Sequence, residues 1–159
     1  APFNNHFKKN ITKFKKNDIQ LLWQTGKKDF NSLKSLDDKK NIRTISFIKD
    51  MNSFYSATDI IISRSGAIAL SEMAFLGKAA ILIPFPHSAG NHQYINAKSI
   101  EKTGGAILIQ QSQINYLESS ILKLIKNPYK IIQMEKKMKE LGFNNATEKI
   151  TNIIMEMVQ

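Results

Sequence analysis

Three short apolar runs constrain this chain more than any other feature. Residues 59–63, 79–84 and 105–109 are continuous rather than alternating, and each has the length of one strand. A continuous run suits a strand covered on both faces, and such strands belong to parallel sheets flanked by helices. Helical patterns lie between the runs. Residues 66–76 are rich in helix formers and stop at Gly77, a candidate left-handed cap. Residues 92–103 read as a second helix closed by Gly104 and Gly105, and residues 50–57 as a short helix after Asp50. Two weaker strands, 19–24 and 42–47, come earlier. Strands alternating with helices at this spacing predict βαβ units and an α/β, Rossmann-like, doubly wound parallel sheet. The tail is different. Residues 115–126, 129–141 and 146–158 read as a helical C-terminal tail, interrupted at Asn127 and Pro128 and again over 142–145. Ile121, Leu124, Ile125, Ile150, Ile153, Ile154 and Met157 sit at helical spacing, which predicts core or interdomain packing.

Composition closes several routes. The chain has 159 residues, enough for one domain with a core. There is no cysteine, so disulfide and thiolate chemistry are excluded, and three histidines (His6, His87, His92) make a poor zinc set without it. No apolar run approaches the ~20 residues of a membrane span, and residues 1–17 are too polar and basic for a signal peptide. The net charge of +10 invites a nucleic-acid or anionic-membrane reading. Usage argues otherwise for nucleic acid. Lys, Ile and Asn number 21, 23 and 14 against two arginines, the bias of an AT-rich genome. Base-reading arginines and stacking aromatics are not clustered. No Ser–His–Asp order, P-loop, GxGxxG or glycosidase-like carboxylate pair supports a hydrolase or kinase. The first residue is Ala1 rather than Met, so the chain is expected to be processed or a fragment.

Three segments carry candidate chemistry. The first runs from the strand at 59–63 through Arg64, Ser65 and Gly66 into a helix. A helix N-terminus offers free N–H groups and the positive end of a dipole to a phosphate, and glycine lets a ligand approach the backbone. Ser65, Ile68 or Ala69, and Glu72 recur at helical spacing, so a carboxylate two turns in is placed to accept from ribose hydroxyls. The plain alternative makes Ser65 an N-cap and Glu72 a solvated helix residue. The second segment, 84–96, again follows a buried strand and holds two prolines and Gly90. His92, Gln93 and Asn96 fall on the first turns of the next helix, where amides suit sugar hydroxyls and His92 suits a phosphate. Here the alternative is a capped helix with a solvated histidine. In the third, Phe47 to Met51, backbone groups could meet a base edge while Ile48 and Met51 pack on its face, or both side chains are simply core.

Together these segments resemble the C-terminal domain of the MurG family of GT-B glycosyltransferases. Ser63, Arg64, Ser65, Gly66 and Ala67 with Ser71 and Glu72 match one signature. Pro84, Phe85, Pro86 and His87 followed by His92, Gln93, Asn96 and Ala97 match the next, and Phe47 to Met51 the one before. The resemblance runs from about Trp23 to the tail. It implies the C-terminal half of a GT-B glycosyltransferase, with residues 1–159 as its nucleotide-sugar-binding domain and 115–159 as that domain's helical tail. It implies transfer of N-acetylglucosamine from UDP-N-acetylglucosamine to lipid I, giving lipid II for peptidoglycan, without cofactor or metal, at the cytosolic face of the bacterial inner membrane. Backbone near Ile48, with Met51, would meet uracil. Ala67, Ile68 and Ala69 would line the uridine and diphosphate, and Glu72 the ribose. His92 and Gln93 would meet the diphosphate and sugar, while Arg64, Ser65 and Gly66 shape the turn. The acceptor domain, the expected catalytic base and the domain's first strand, with its Gly-Gly-Ser loop, are expected to lie outside these residues. Residues 1–17 look like the helix after that loop. The chain alone is therefore expected to be poorly stable and inactive. Two alternatives stay open: another GT-B or epimerase-like enzyme using a UDP-sugar, and an accessory subunit that binds the nucleotide sugar for a partner.

Overall fold

A computed structural model describes residues 2–38, 40–142 and 146–158. The chain divides into two compact units, residues 1–57 and 58–159, each with its own sheet.

The first unit opens on helix α1 (Pro2–Lys16), then β1 (Leu21–Gln24), α2 (Lys27–Leu33), β2 (Ile42–Ile45) and α3 (Met51–Ser56). β1 and β2 pair in parallel, Leu21 opposite Ile42 and Gln24 opposite Ile45. α1 is driven onto this unit by an aromatic cluster: Phe7 and Phe14 are buried, and the Phe7 ring lies 5.5 Å from those of both Phe14 and Trp23. Asn4 resolves the polar residue of that packing, accepting from Trp23 Nε1 and donating to the Thr25 carbonyl. Asp38 anchors the approach to β2. It pairs with Lys15 at 2.6 Å and accepts from the backbone N–H groups of Lys40, Asn41 and Ile42, which together hold its carboxyl well below the usual carboxylate range.

The second unit runs β3 (Ile61–Ser63), α4 (Ala67–Leu76), β4 (Ala80–Leu82), α5 (His92–Thr103), β5 (Ala106–Leu108), α6 (Leu117–Ile125), α7 (Pro128–Glu140) and α8 (Ala146–Val158). Its sheet has the order β3-β4-β5, all parallel. β4 is central, and residues 79–83 are fully buried, as a continuous apolar run requires. α4 ends at Gly77 in the left-handed conformation (φ 68°), and α5 at Gly104 (φ 85°), the caps read from the sequence. α7 packs on α4 and α6, burying Met134 and Met138.

The expected parallel α/β pattern is present, with each pairing parallel, but distributed over a two-stranded and a three-stranded sheet rather than one. The apolar runs outlast the strands they contain. The flanking residues still join the ladder, Ile83 N–H donating to Ser63 and Ile109 N–H to Leu82. α2 was not expected: it starts at Gly26 (φ 79°) and carries too few apolar residues to show a stripe. The tail stripe splits in two. Ile121 and Leu124 are core, whereas Ile125 is 41% exposed and Ile150, Ile153, Ile154 and Met157 are more than half exposed. Most of the break expected over 142–145 lies outside the described residues; Gly142 closes the last turn of α7.

Candidate functional site

The turn between β3 and α4 holds the most distinctive geometry of the second unit. Gly66 is the N-cap of α4, at φ −69° and ψ 144°, and no side chain caps the helix. A Cβ built at Gly66 would meet nothing within 4 Å, so the space before the helix end is open. The first N–H groups of α4 have no side-chain cap, and the positive end of the helix dipole lies at this turn. Ala67 and Ile68 are exposed beside it, Ile68 at 79%, while Ala69 and Glu72 are half-buried. The opposite face, Leu70, Met73 and Ala74, is buried and fixes the helix.

Ser65 departs from the expectation. It is fully buried, and its hydroxyl donates to the Gln93 carbonyl at 2.6 Å. It neither caps α4 nor shares the face of Ile68 and Glu72, because a partner 28 residues away holds its side chain inward. Arg64 is likewise turned to protein. Its Nη1 donates to the carbonyls of Ile83 (3.1 Å) and Pro84 (2.8 Å), its Nη2 to Gln111 Oε1 (2.5 Å), and the guanidinium lies over the Phe85 ring. Burial lowers its pKa, leaving it charged at neutral pH. One side chain thus joins the ends of β3 and β4 to the segment after β5. Sequence reasoning missed Gln111 as its partner. The available signal was position, since Gln110 and Gln111 follow a buried parallel strand directly, just as Pro84 does.

The 84–96 segment is tied to the same turn. Gly90 (φ 52°) and Asn91 (φ 56°) are both left-handed, so the chain reverses sharply before α5. His92 is exposed on the first turn, its ring 3.3 Å from where a Cβ on Gly90 would stand. Gln93 has an internal role: its Oε1 accepts from the Phe85 N–H at 2.9 Å. Asn96, expected to read sugar hydroxyls, donates from Nδ2 to the Ser65 carbonyl at 3.3 Å. The structure therefore brings Arg64, Ser65, Gln93 and Asn96 into one hydrogen-bonded frame, and leaves Gly66, Ala67, Ile68 and His92 facing outward.

Ile48 and Met51 lie in the first unit. The Ile48 N–H, expected to be available to a base edge, donates to Gln24 Oε1 at 3.0 Å, and its side chain is buried. Met51 is half-buried at the first position of α3, which Asp50 caps by accepting from the Ser53 N–H. Among the described residues, no three His, Cys, Asp or Glu side chains are grouped as a metal set.

Comparison with known proteins gives this geometry a family. The model of the glycosyltransferase family 28 C-terminal domain matches residues 1–150. UDP-N-acetylglucosamine–N-acetylmuramyl-(pentapeptide) pyrophosphoryl-undecaprenol N-acetylglucosamine transferase of Flavobacterium psychrophilum is 38% identical over 143 residues, covering 89% of this chain and 39% of the relative. The protein of the same name from Caldicellulosiruptor saccharolyticus is 40% identical over 128 residues, covering 79% and 35%. The chain thus spans less than half the length of these curated relatives. The crystal structure of Acinetobacter baumannii MurG superposes with a TM-score of 0.76 at 28% identity, over 86% of this chain and 43% of that one. A glycosyltransferase of kitacinnamycin shares the fold at a TM-score of 0.59, 18% identity, and 84% and 34% coverage. With a family model matched along nearly its whole length, over elements arranged as in MurG, this chain belongs to the glycosyltransferase family 28 C-terminal domain family.

Proposed function

We propose that this chain is the donor-binding part of an enzyme that transfers N-acetylglucosamine from UDP-N-acetylglucosamine to lipid I, giving lipid II. The observation that carries the reading is the uncapped, unobstructed N-terminus of α4 at Gly66, with Glu72 two turns along the same helix. The donor's diphosphate would sit against the open N–H groups there. As the acceptor hydroxyl attacks the anomeric carbon, the bond to the diphosphate breaks and negative charge grows on the departing UDP. Fixed N–H groups and the helix dipole are already oriented toward that charge, so they stabilise it without reorganising. Glu72 would accept from the ribose hydroxyls, Ala67, Ile68 and Ala69 would flank the nucleoside and diphosphate, and His92 would donate to a phosphate oxygen. Gly66 keeps the approach clear, and Arg64, Ser65 and Gln93 hold the turn by the bonds described above. Ile48 and Met51 are proposed as the uracil contact of the first unit, through the Ile48 carbonyl, since its N–H is engaged.

The general base and the acceptor site are proposed to lie in residues other than these, in keeping with the greater length of the relatives. The enzyme is proposed to act on the cytosolic face of the inner membrane as a peripheral protein. Among the described residues no helix is long and apolar enough to cross a membrane.

Glu72→Ala tests the donor site in the catalytically competent protein that carries these residues. Loss of hydrogen bonds to a charged acceptor is expected to weaken donor binding by about 1.5–3 kcal/mol. Calorimetric titration with UDP reads this directly, and an unchanged affinity removes Glu72 from the site.

A further inference from the structure

The open end of α4 is held from behind rather than by its own residues. No side chain caps it, and Gly66 brings no side chain with which to anchor the turn. The two residues before Gly66 carry the anchoring bonds. The Ser65 hydroxyl is fastened to the Gln93 carbonyl. The Arg64 guanidinium reaches the carbonyls of Ile83 and Pro84 and the side chain of Gln111.

Gln111 has a distinct part in that grip. A guanidinium is planar, with its donors in a fixed fork. The bonds to Ile83 and Pro84 both leave from Nη1 and fix one corner of the fork. The bond from Nη2 to Gln111 Oε1, at 2.5 Å, fixes a second corner and so sets the direction of the fork. The Phe85 ring, its centre 5.5 Å from Cζ, restrains the tilt. The anchor is itself rigid. Gln111 stands two residues beyond Ile109, which is buried and whose N–H donates to the Leu82 carbonyl. It opens a 3-10 segment, Gln111–Tyr116, and is half-buried. The acceptor is also neutral. A carboxamide oxygen holds the guanidinium without setting a carboxylate beside a turn proposed to meet a diphosphate.

We propose that Gln111 is a positioning residue for the transfer: by orienting the Arg64 fork it fixes where the first N–H groups of α4 stand as charge grows on the departing UDP. This rests on the donor-binding reading of the Gly66 turn and adds to it a residue from the segment after β5. Fixed donors stabilise developing charge only when they are already in place, and a misplacement of about 1 Å can cost about a hundredfold in rate.

Gln111→Met tests this in the catalytically competent protein, because a thioether accepts only weakly. UDP titration counts the molecules able to bind, and kcat is expressed per such molecule. On that scale kcat is expected to fall about tenfold, as for an interaction that matters most in the transition state. A residue that only supports the fold would lower the thermal midpoint or the number of binding molecules and leave this kcat in place. Gln111→Asn, one methylene too short to reach Arg64, is expected to show the same loss and serves if the Met variant folds poorly. Arg64→Lys keeps the charge but not the fork, so adding Gln111→Met to it is expected to lower kcat by less than about twofold more. A kcat within about twofold of the parent in the single variants overturns the proposal, and so does a larger further loss in the double variant. UDP titration of Glu72→Ala separates this from failure of the donor reading, because that variant leaves the Arg64 bonds untouched.

Discussion

At the scale of the residue, the decisive positions are those where a side chain had a choice of direction. Gly66 is the clearest. Its φ of −69° is available to any residue and an added Cβ meets no protein atom, so the fold itself does not demand glycine there. What a larger side chain would fill is the space before the helix end. Gly66→Val is therefore expected to change stability by no more than about 1 kcal/mol, the scale of an altered N-cap. UDP affinity should nonetheless fall by about tenfold or more, as bulk enters the phosphate position. Thermal denaturation and UDP titration of the same sample check both halves. Unchanged UDP affinity would show that the diphosphate does not approach there. Ser65 teaches the converse. Its spacing fits a ligand-facing helix position, yet its hydroxyl is buried on the Gln93 carbonyl, a partner that local spacing does not reveal.

At the scale of the element, close packing of the second unit's helices sets the tolerance for change. The end of α7 meets the end of α4 so closely that a Cβ on Gly142 would stand 2.8 Å from the Ala74 carbonyl oxygen and 3.1 Å from its carbon. Lys139 Nζ donates to the Phe75 carbonyl beside it. Backbone cannot yield as a flexible side chain can. Gly142→Ala is therefore expected to destabilise by about 1–3 kcal/mol, the cost of overpacking, by forcing these helices apart. A denaturant midpoint equal to that of the parent would contradict the contact. Helix α4 was legible in the sequence to within a residue at its start, because helix formers and a terminal glycine are local signals. α2 was not, because a short polar helix opening on a left-handed glycine has neither an apolar stripe nor an N-cap side chain.

At the scale of the whole molecule, two units each carry their own sheet and core. The relatives are more than twice the length that this chain matches. Transfer requires an acceptor and a base in addition to a bound donor, and neither is proposed here. The 159-residue chain is accordingly expected to show no transfer of radiolabelled N-acetylglucosamine to lipid I. Product formed at a rate comparable to a full-length relative would place the base among these residues and overturn the proposed division of labour.

Local chemistry written along the chain determined the kinds and order of the principal elements: buried parallel strands at the continuous apolar runs, helices between them, glycine caps at Gly77 and Gly104, and a helix start at Gly66 where a phosphate is expected. Those features depend on residues within a few positions of one another, so a one-dimensional pattern contains them. Tertiary structure alone decided which polar groups of the candidate site are tied into the protein frame. Arg64 reaches partners 19, 20 and 47 residues away, Ser65 one 28 away, and Ile48 one 24 away. A side chain in a loop turns toward whatever donor or acceptor folding brings beside it, because leaving such a group buried and unpaired costs more than any local preference can return.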